Sequence, residues 1–177
     1  MENPLKELNY YSNKITSSLL FIISLIFVIG GIFLRDKMFD FGEKPFKSSI
    51  LILGLLLFSF SIILSLLLLI RKKPLLTITD KQIIIHNALA PTKTVEINNI
   101  ESFFIVNNNF RGIESNRQIF IELKKPTERY TNMWFYKLLS KISKPIANSQ
   151  YSIQTDFLNV KQKVLLEILN RKLKNVV

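Results

Sequence analysis

Two uninterrupted apolar runs constrain this chain more than any other feature. Residues 15–34 are 20 positions without a charge, and residues 50–70 are 21 positions of which 17 are Leu, Ile or Phe, the exceptions being Gly54, Ser59, Ser61 and Ser65. At about 1.5 Å of rise per residue, each run makes a helix of roughly 30 Å, the thickness of bilayer hydrocarbon. A helix in a water-soluble fold needs only one apolar face, so runs apolar all round for this length point to lipid as the solvent. At about −0.3 kcal/mol per apolar residue, inserting the second run is favoured by roughly 5 kcal/mol. The first run exceeds a signal-peptide core and is not followed by an A-x-A-like cleavage site, so a retained helix is expected.

The two runs predict an antiparallel transmembrane hairpin: a cytoplasmic segment 1–14, helices over 15–34 and 50–70, and an external loop over 35–49. Phe39, Phe41 and Phe46 are expected at the loop-side interface, with Tyr10 and Tyr11 as aromatic anchors opposite. Gly30, Gly31, Gly54, Ser61 and Ser65 are small enough to let helix backbones approach, within one hairpin or between copies in a homo-oligomer. Lys6, Lys14, Arg71, Lys72, Lys73 and Lys81 flank one end; Arg35, Lys37, Lys44 and Lys47 flank the other. Six cations against four predict a multi-pass protein of the cytoplasmic membrane with both termini in the cytoplasm. Neither run holds an ionisable residue, which argues against transport or catalysis within the bilayer and makes the hairpin an anchor.

From residue 71 onward the composition is that of a small water-soluble domain. It holds 18 Lys or Arg against 8 Asp or Glu, so +10 of the net +11 sits there. Two readings stay open. Ile, Asn and Lys supply 58 of 177 residues, a bias that produces basic surfaces by itself. Alternatively the charge serves attraction to anionic headgroups, at about 1 kcal/mol per well-placed cation. There is no Cys, which excludes disulfides and thiolate metal sites.

Short β-like runs follow Pro74: 75–79 and 82–86 about an Asp80-Lys81 turn, 92–97, 102–107, 117–124 and 151–155. In the fifth, Ile119, Ile121 and Leu123 alternate with Gln118, Phe120 and Glu122, the period of a half-buried strand. Asn107, Asn108, Asn109 and Gly112 read as a polar turn. A closing helix over 159–175 is predicted, with Asn159 as N-cap and Gln162 completing a capping box. Its apolar stripe is Val160, Val164, Leu165, Ile168, Leu169 and Leu173. The expected class is α+β: the transmembrane α-hairpin plus a small curved antiparallel sheet or barrel capped by a C-terminal amphipathic helix.

Residues 127–147 exceed a normal hairpin loop and predict an amphipathic helical insertion, helical over 131–144 and stopped by Pro145. Lys137, Lys141 and Lys144 share one arc, beside an apolar arc of Trp134, Phe135, Leu138, Leu139 and Ile142. Such a helix either lies on the membrane surface or covers the sheet with its lysines in water. The candidate lipid-contact residues are therefore Arg71, Lys72, Lys73, Trp134, Lys137, Lys141 and Lys144. Lys124, Lys125 and Arg129, after the long strand, are candidate partner-binding residues.

The pieces Lys72-Lys73-Pro74-Leu75-Leu76-Thr77-Ile78-Thr79-Asp80, Val95-Glu96-Ile97-Asn98-Asn99-Ile100-Glu101-Ser102, residues 119–126 and the closing helix together resemble short bacterial membrane proteins of unknown function. These carry a two-helix hairpin followed by a bacterial pleckstrin-homology-like (PH-like) domain. The resemblance implies that fold and a membrane location, and implies no reaction. Where such domains often have a Trp near the end of the third strand, this sequence has Ile97.

No chemistry-bearing constellation accompanies these elements. His86 is the single histidine, which is too few for a zinc site. Asp36, Asp40, Asp80 and Asp156 are isolated, and no phosphate-cradling glycine motif or nucleophile elbow occurs. No metal, cofactor, small-molecule substrate or nucleic-acid partner is inferred. The expectation is a non-enzymatic, membrane-anchored module engaging a protein or peptide at the cytoplasmic surface, with anionic-lipid contact. The alternative is a membrane-resident immunity or defence protein that neutralises a membrane-targeting toxin. A membrane enzyme using a serine or His86 is the remaining class.

Overall fold

The computed structural model describes residues 7–34, 45–106, 109–110, 113–114 and 118–175. Lys6, Arg35, Asp36, Lys37, Phe39, Asp40, Phe41, Lys44, Asn107, Asn108, Gly112 and Arg117 lie outside the described residues. The chain divides into two compact units. One is Ser12–Lys72; the other joins Met1–Tyr11 to Lys73–Val177.

The first unit is a pair of packed helices, α1 (Lys14–Phe33) and α2 (Pro45–Ile70). Helix α2 begins five residues before the apolar run, so the expected 35–49 loop loses its last five positions to the helix. Pro45 suits a first helical position because its missing N–H is unneeded there. Both helices are long and apolar enough to cross a membrane, with mean hydropathy 2.5 and 2.8. Only 11% and 6% of their most apolar stretches is buried, which separates them from core helices of a soluble protein. Phe27 stacks on Phe58 with ring centroids 4.0 Å apart. Gly31 marks the closest approach: a Cβ there would sit 2.6 Å from Leu55 Cδ2. A Cβ at Gly54 would meet the Phe27 ring at ordinary contact distance and one at Gly30 would meet nothing within 4 Å, so among these glycines only Gly31 is required by close packing, while Ser65 of the expected set is fully buried.

Three consecutive residues organise the open end of this hairpin. The Ser12 hydroxyl donates to the Leu68 carbonyl at 2.8 Å. Asn13 is the N-cap of α1, its Oδ1 accepting from the Ile15 and Thr16 N–H groups at 3.1 and 3.2 Å. Lys14 Nζ donates to the carbonyls of Leu68, Leu69 and Arg71 at 2.8, 2.7 and 3.0 Å. The last carbonyls of a helix lack intrahelical donors and carry the negative end of its dipole, so an ammonium is a strong cap. Lys14, counted in the sequence as a flanking charge, therefore caps the neighbouring helix.

The second unit is α+β. Its first sheet has the order β1 (Leu8–Tyr10), β2 (Leu76–Ile78), β3 (Gln82–Ile85), β4 (Lys93–Glu96), all antiparallel. The second has the order β5 (Ile100–Phe104), β8 (Gln118–Leu123), β9 (Tyr151–Gln154). A two-residue ladder pairs β6 (Asn109–Phe110) with β7 (Ile113–Glu114), so Asn109 is in a strand rather than the expected turn. Five of the expected strands are present, slightly trimmed; the one expected over 102–107 is shifted to Ile100–Phe104, and the sheets do not close into a barrel. Both contribute to one core, including Leu76, Ile78, Ile83, Val95, Ile97, Ile119, Ile121, Leu123 and Ile153. The alternation in β8 is as its period dictated: Ile119, Ile121 and Leu123 are buried, while Gln118, Phe120 and Glu122 are half-buried. The Ile97 of the Trp comparison is also core.

Strand β1 is the main departure from expectation. Residues 8–10 fall inside the segment read as a cytoplasmic tail, yet they pair with β2 in the register Leu8↔Ile78, Asn9↔Thr77, Tyr10↔Leu76. The Leu75 N–H donates to the Tyr10 carbonyl at 2.8 Å, and Thr77 Oγ1 donates to Asn9 Oδ1 at 2.6 Å. Leu8 and Tyr10 pack against the core, so Tyr10 is a core-edge residue instead of an interfacial anchor, while Tyr11 is exposed. Burial also pushes the Tyr10 phenol pKa up.

The C-terminal helix α6 (Gln162–Lys174) starts three residues later than expected, with Lys161 at the N-cap and no side-chain cap bond. Asn159 is drawn off instead: its Oδ1 accepts from the Tyr11 N–H at 3.2 Å, and its own N–H donates to the Tyr11 carbonyl at 3.1 Å. Gln162 likewise leaves its capping-box role and donates to the Gln118 carbonyl at 3.2 Å. Leu165 and Leu169 are buried in the core, flanked by Leu166 and Leu173, whereas Val164 is 45% exposed. Lys172 pairs with Asp80 and ties the helix to the β2–β3 turn.

Replacing Lys14 by Met should lower the stability of the full chain in detergent by about 1–2 kcal/mol, the scale of a few partly exposed charge-assisted hydrogen bonds. Thermal unfolding followed by circular dichroism reads this, and Lys14→Arg should recover most of the loss.

Candidate functional site

The candidate site is the excursion between β8 and β9. Its base is tied by one backbone bond and by side chains. The Lys124 N–H donates to the Asn99 carbonyl at 2.9 Å, and Asn99 Nδ2 donates to the Lys125 carbonyl at 3.4 Å. Gln150 Oε1 accepts from both the Thr127 N–H and the Thr127 hydroxyl, at 3.2 and 3.1 Å. The Gln150 bonds join the two ends of the excursion, and the Asn99 bonds fix its first end.

Between those ends lie three short helices instead of the single one expected over 131–144: α3 (Glu128–Thr131), α4 (Trp134–Ile142) and α5 (Lys144–Asn148). The break before α5 is at Ser143, which is extended, and Pro145 sits in the first turn of α5. Proline is tolerated there for the same reason that it cannot continue α4. Helix α5 is seated on β8, and its Ala147 is fully buried. Helix α4 packs chiefly on α5, one layer further from the sheet.

Aromatic contacts hold the layers together. Tyr130 of α3 meets Phe135 and Tyr136 edge-on, each with centroids 5.5 Å apart. The Tyr136 hydroxyl donates to Asn148 Oδ1 at 3.1 Å. Burial pushes the Tyr130 phenol above its ordinary range, and the neighbouring Tyr136 adds to the shift.

The burial boundary cuts through the expected apolar arc of α4. Phe135, Tyr136, Leu139 and Ser140 are half-buried, whereas Trp134 is 76% and Leu138 52% exposed. Lys137 and Lys141 are exposed on the same side as Trp134 and Leu138. The structure thus brings together Trp134, Lys137, Leu138 and Lys141. Lys144 is exposed but belongs to α5, not to the α4 stripe. Lys124, Lys125 and Arg129 are exposed at the start of the excursion, and Glu128 is the one acidic residue from 124 to 144. Lys72, in the helical unit, and Lys73, in the α+β unit, are also exposed, while Arg71 is half-buried.

His86, at the end of β3, donates its N–H to the Leu75 carbonyl at 2.8 Å, and its Nδ1 lies 3.5 Å from Thr92 Oγ1. No group of three or more His, Asp or Glu that could hold a metal forms among the described residues. Neither a family model, nor a curated protein, nor a solved structure matches the chain.

Two outcomes test how this site is built. Ala147→Leu overpacks the seat of α5 and should cost about 1–3 kcal/mol, while Leu138→Ala on the exposed stripe should stay within about 0.5 kcal/mol; denaturant midpoints compare them. The raised Tyr130 pKa means that the folded state holds the phenol proton more tightly than the unfolded chain does. Its contribution is complete below about pH 10 and is lost as pH rises through the folded pKa. Tyr130→Phe should therefore flatten the fall in stability on the alkaline side, read by melting temperature against pH.

Proposed function

We propose that this chain is a membrane-anchored, non-enzymatic binding module, whose PH-like domain engages a protein or peptide partner at the cytoplasmic membrane surface. One observation carries the reading: an apolar two-helix hairpin is inserted in sequence between two strands, β1 and β2, that pair with each other. A strand ladder cannot straddle a bilayer, so both ends of a spanning hairpin emerge on the side of the domain. The nearly bare apolar faces of α1 and α2 need a non-aqueous solvent, and lipid supplies it. The six flanking cations favour the cytoplasm for that side.

The PH-like assignment is supported by the division into a four-stranded and a three-stranded antiparallel sheet around one core, with α6 packed against β5 and β8. Open sheet edges also suit peptide capture by strand addition, where backbone hydrogen bonds supply affinity. Lys124, Lys125 and Arg129 give the domain a basic approach beside β8, suited to an acidic partner.

Affinity capture of the tagged full chain from its native membrane tests this function. A stoichiometric protein partner, lost when Lys124, Lys125 and Arg129 are all changed to Glu, is the expected result. Recovery of the chain alone from cross-linked membranes would remove the binding-module reading.

A further inference from the structure

Helix α4 presents a face that its own domain does not use. Trp134, Lys137, Leu138 and Lys141 follow the spacing i, i+3, i+4, i+7, so they share an arc of about 100° on the helix. The opposite side, with Phe135, Tyr136 and Leu139, is turned inward. Met133, just before the helix, is also exposed, at 39%. A large aromatic ring and a leucine are thus left in solvent, with the two ammonium groups together along one side of them. From residue 124 to 144 there are six cations and one carboxylate, so the surroundings are strongly positive.

We propose that this face of α4 docks on an anionic lipid surface. Its chemistry matches that surface in two layers. The indole of Trp134 and the side chain of Leu138 reach the level where headgroups meet acyl chains, which indole prefers. Lys137 and Lys141 bury their stems along the same plane and keep their ammonium groups among lipid phosphates. A single convex helix with exposed apolar residues and a lysine pair alongside them fits a plane, and it does not form the walls of a peptide groove. The proposal rests on the reading that α1 and α2 span a bilayer, since a hairpin so placed holds the domain at high effective concentration beside lipid. The deep seat of α5, through the buried Ala147, gives α4 a firm backing.

Trp134 is the only tryptophan in the chain, so the native protein carries its own probe. The full chain is reconstituted into vesicles of phosphatidylcholine alone or mixed with phosphatidylglycerol, each with and without lipids brominated on the acyl chains. In the anionic vesicles Trp134 emission should shift to the blue, and bromine quenching should be at least about twofold stronger than in the neutral ones. The Lys137→Glu, Lys141→Glu double variant should return to the neutral-vesicle level with an unchanged circular dichroism spectrum. Equal, weak quenching in both compositions overturns the docking while leaving the anchored module intact, provided alkaline carbonate leaves the protein in the vesicles. Release by carbonate overturns the spanning hairpin, and the docking with it. Shielding of Trp134 in native membranes but not in pure anionic lipid assigns the face to a protein and also overturns the proposal.

Discussion

The pairing of Leu8–Tyr10 with Leu76–Ile78 is the constraint on which the architecture turns. It joins segments separated by the whole apolar hairpin, and the partner strand β2 is buried along its length. Closing so long a loop costs configurational entropy that three residue pairs could not offset from a random chain. The hairpin lowers this cost, because two antiparallel helices of similar length return the chain to where it started. The helices therefore make the first sheet attainable. Adjacent to the strand, Ser12, Asn13 and Lys14 satisfy the polar ends of α1 and α2, so a seven-residue stretch serves both units.

The same economy appears at the other end of the chain. Asn159 could cap a helix, but its carboxamide and backbone instead make a reciprocal pair with Tyr11, extending the hold on the N-terminal segment. The cap lost to α6 is partly offset by its burial: Leu165 and Leu169 are fully enclosed. Cationic side chains in its last turn, Arg171, Lys172 and Lys174, complement the helix dipole, and Lys172 adds the Asp80 contact. With both partners partly in solvent, that ion pair is worth at most about 1 kcal/mol and positions the β2–β3 turn more than it stabilises the fold.

The β8–β9 excursion concentrates what the domain offers to its surroundings. Its inner layer is ordinary core chemistry, with Ala147 sealed against the sheet and three aromatic rings wedged between α3 and α4. Its outer layer mixes Trp134 and Leu138 with lysines, a combination that costs solvation free energy in water and gains it at a charged interface. The Thr127–Gln150 bonds and the α5 seat hold this excursion against the rigid sheet.

Local periodicity determined much of this protein. The two apolar helices, six of the strands, the inward set of β8 and the existence of a C-terminal amphipathic helix all follow from residue spacing, because burial of a face leaves its imprint on neighbouring positions. Three features were beyond it. Strand β1 is three residues long, too short for a period to register, and exists because β2 offers it an edge. The choice of Asn159 between capping α6 and pairing with Tyr11 depends on a residue 148 positions away. On α4, the sequence grouped Trp134 and Leu138 with the apolar arc, but the breadth of that arc exceeds what α5 can cover. Which part is buried was settled by the angle at which one short helix rests on another, and that angle is a property of the assembled tertiary fold.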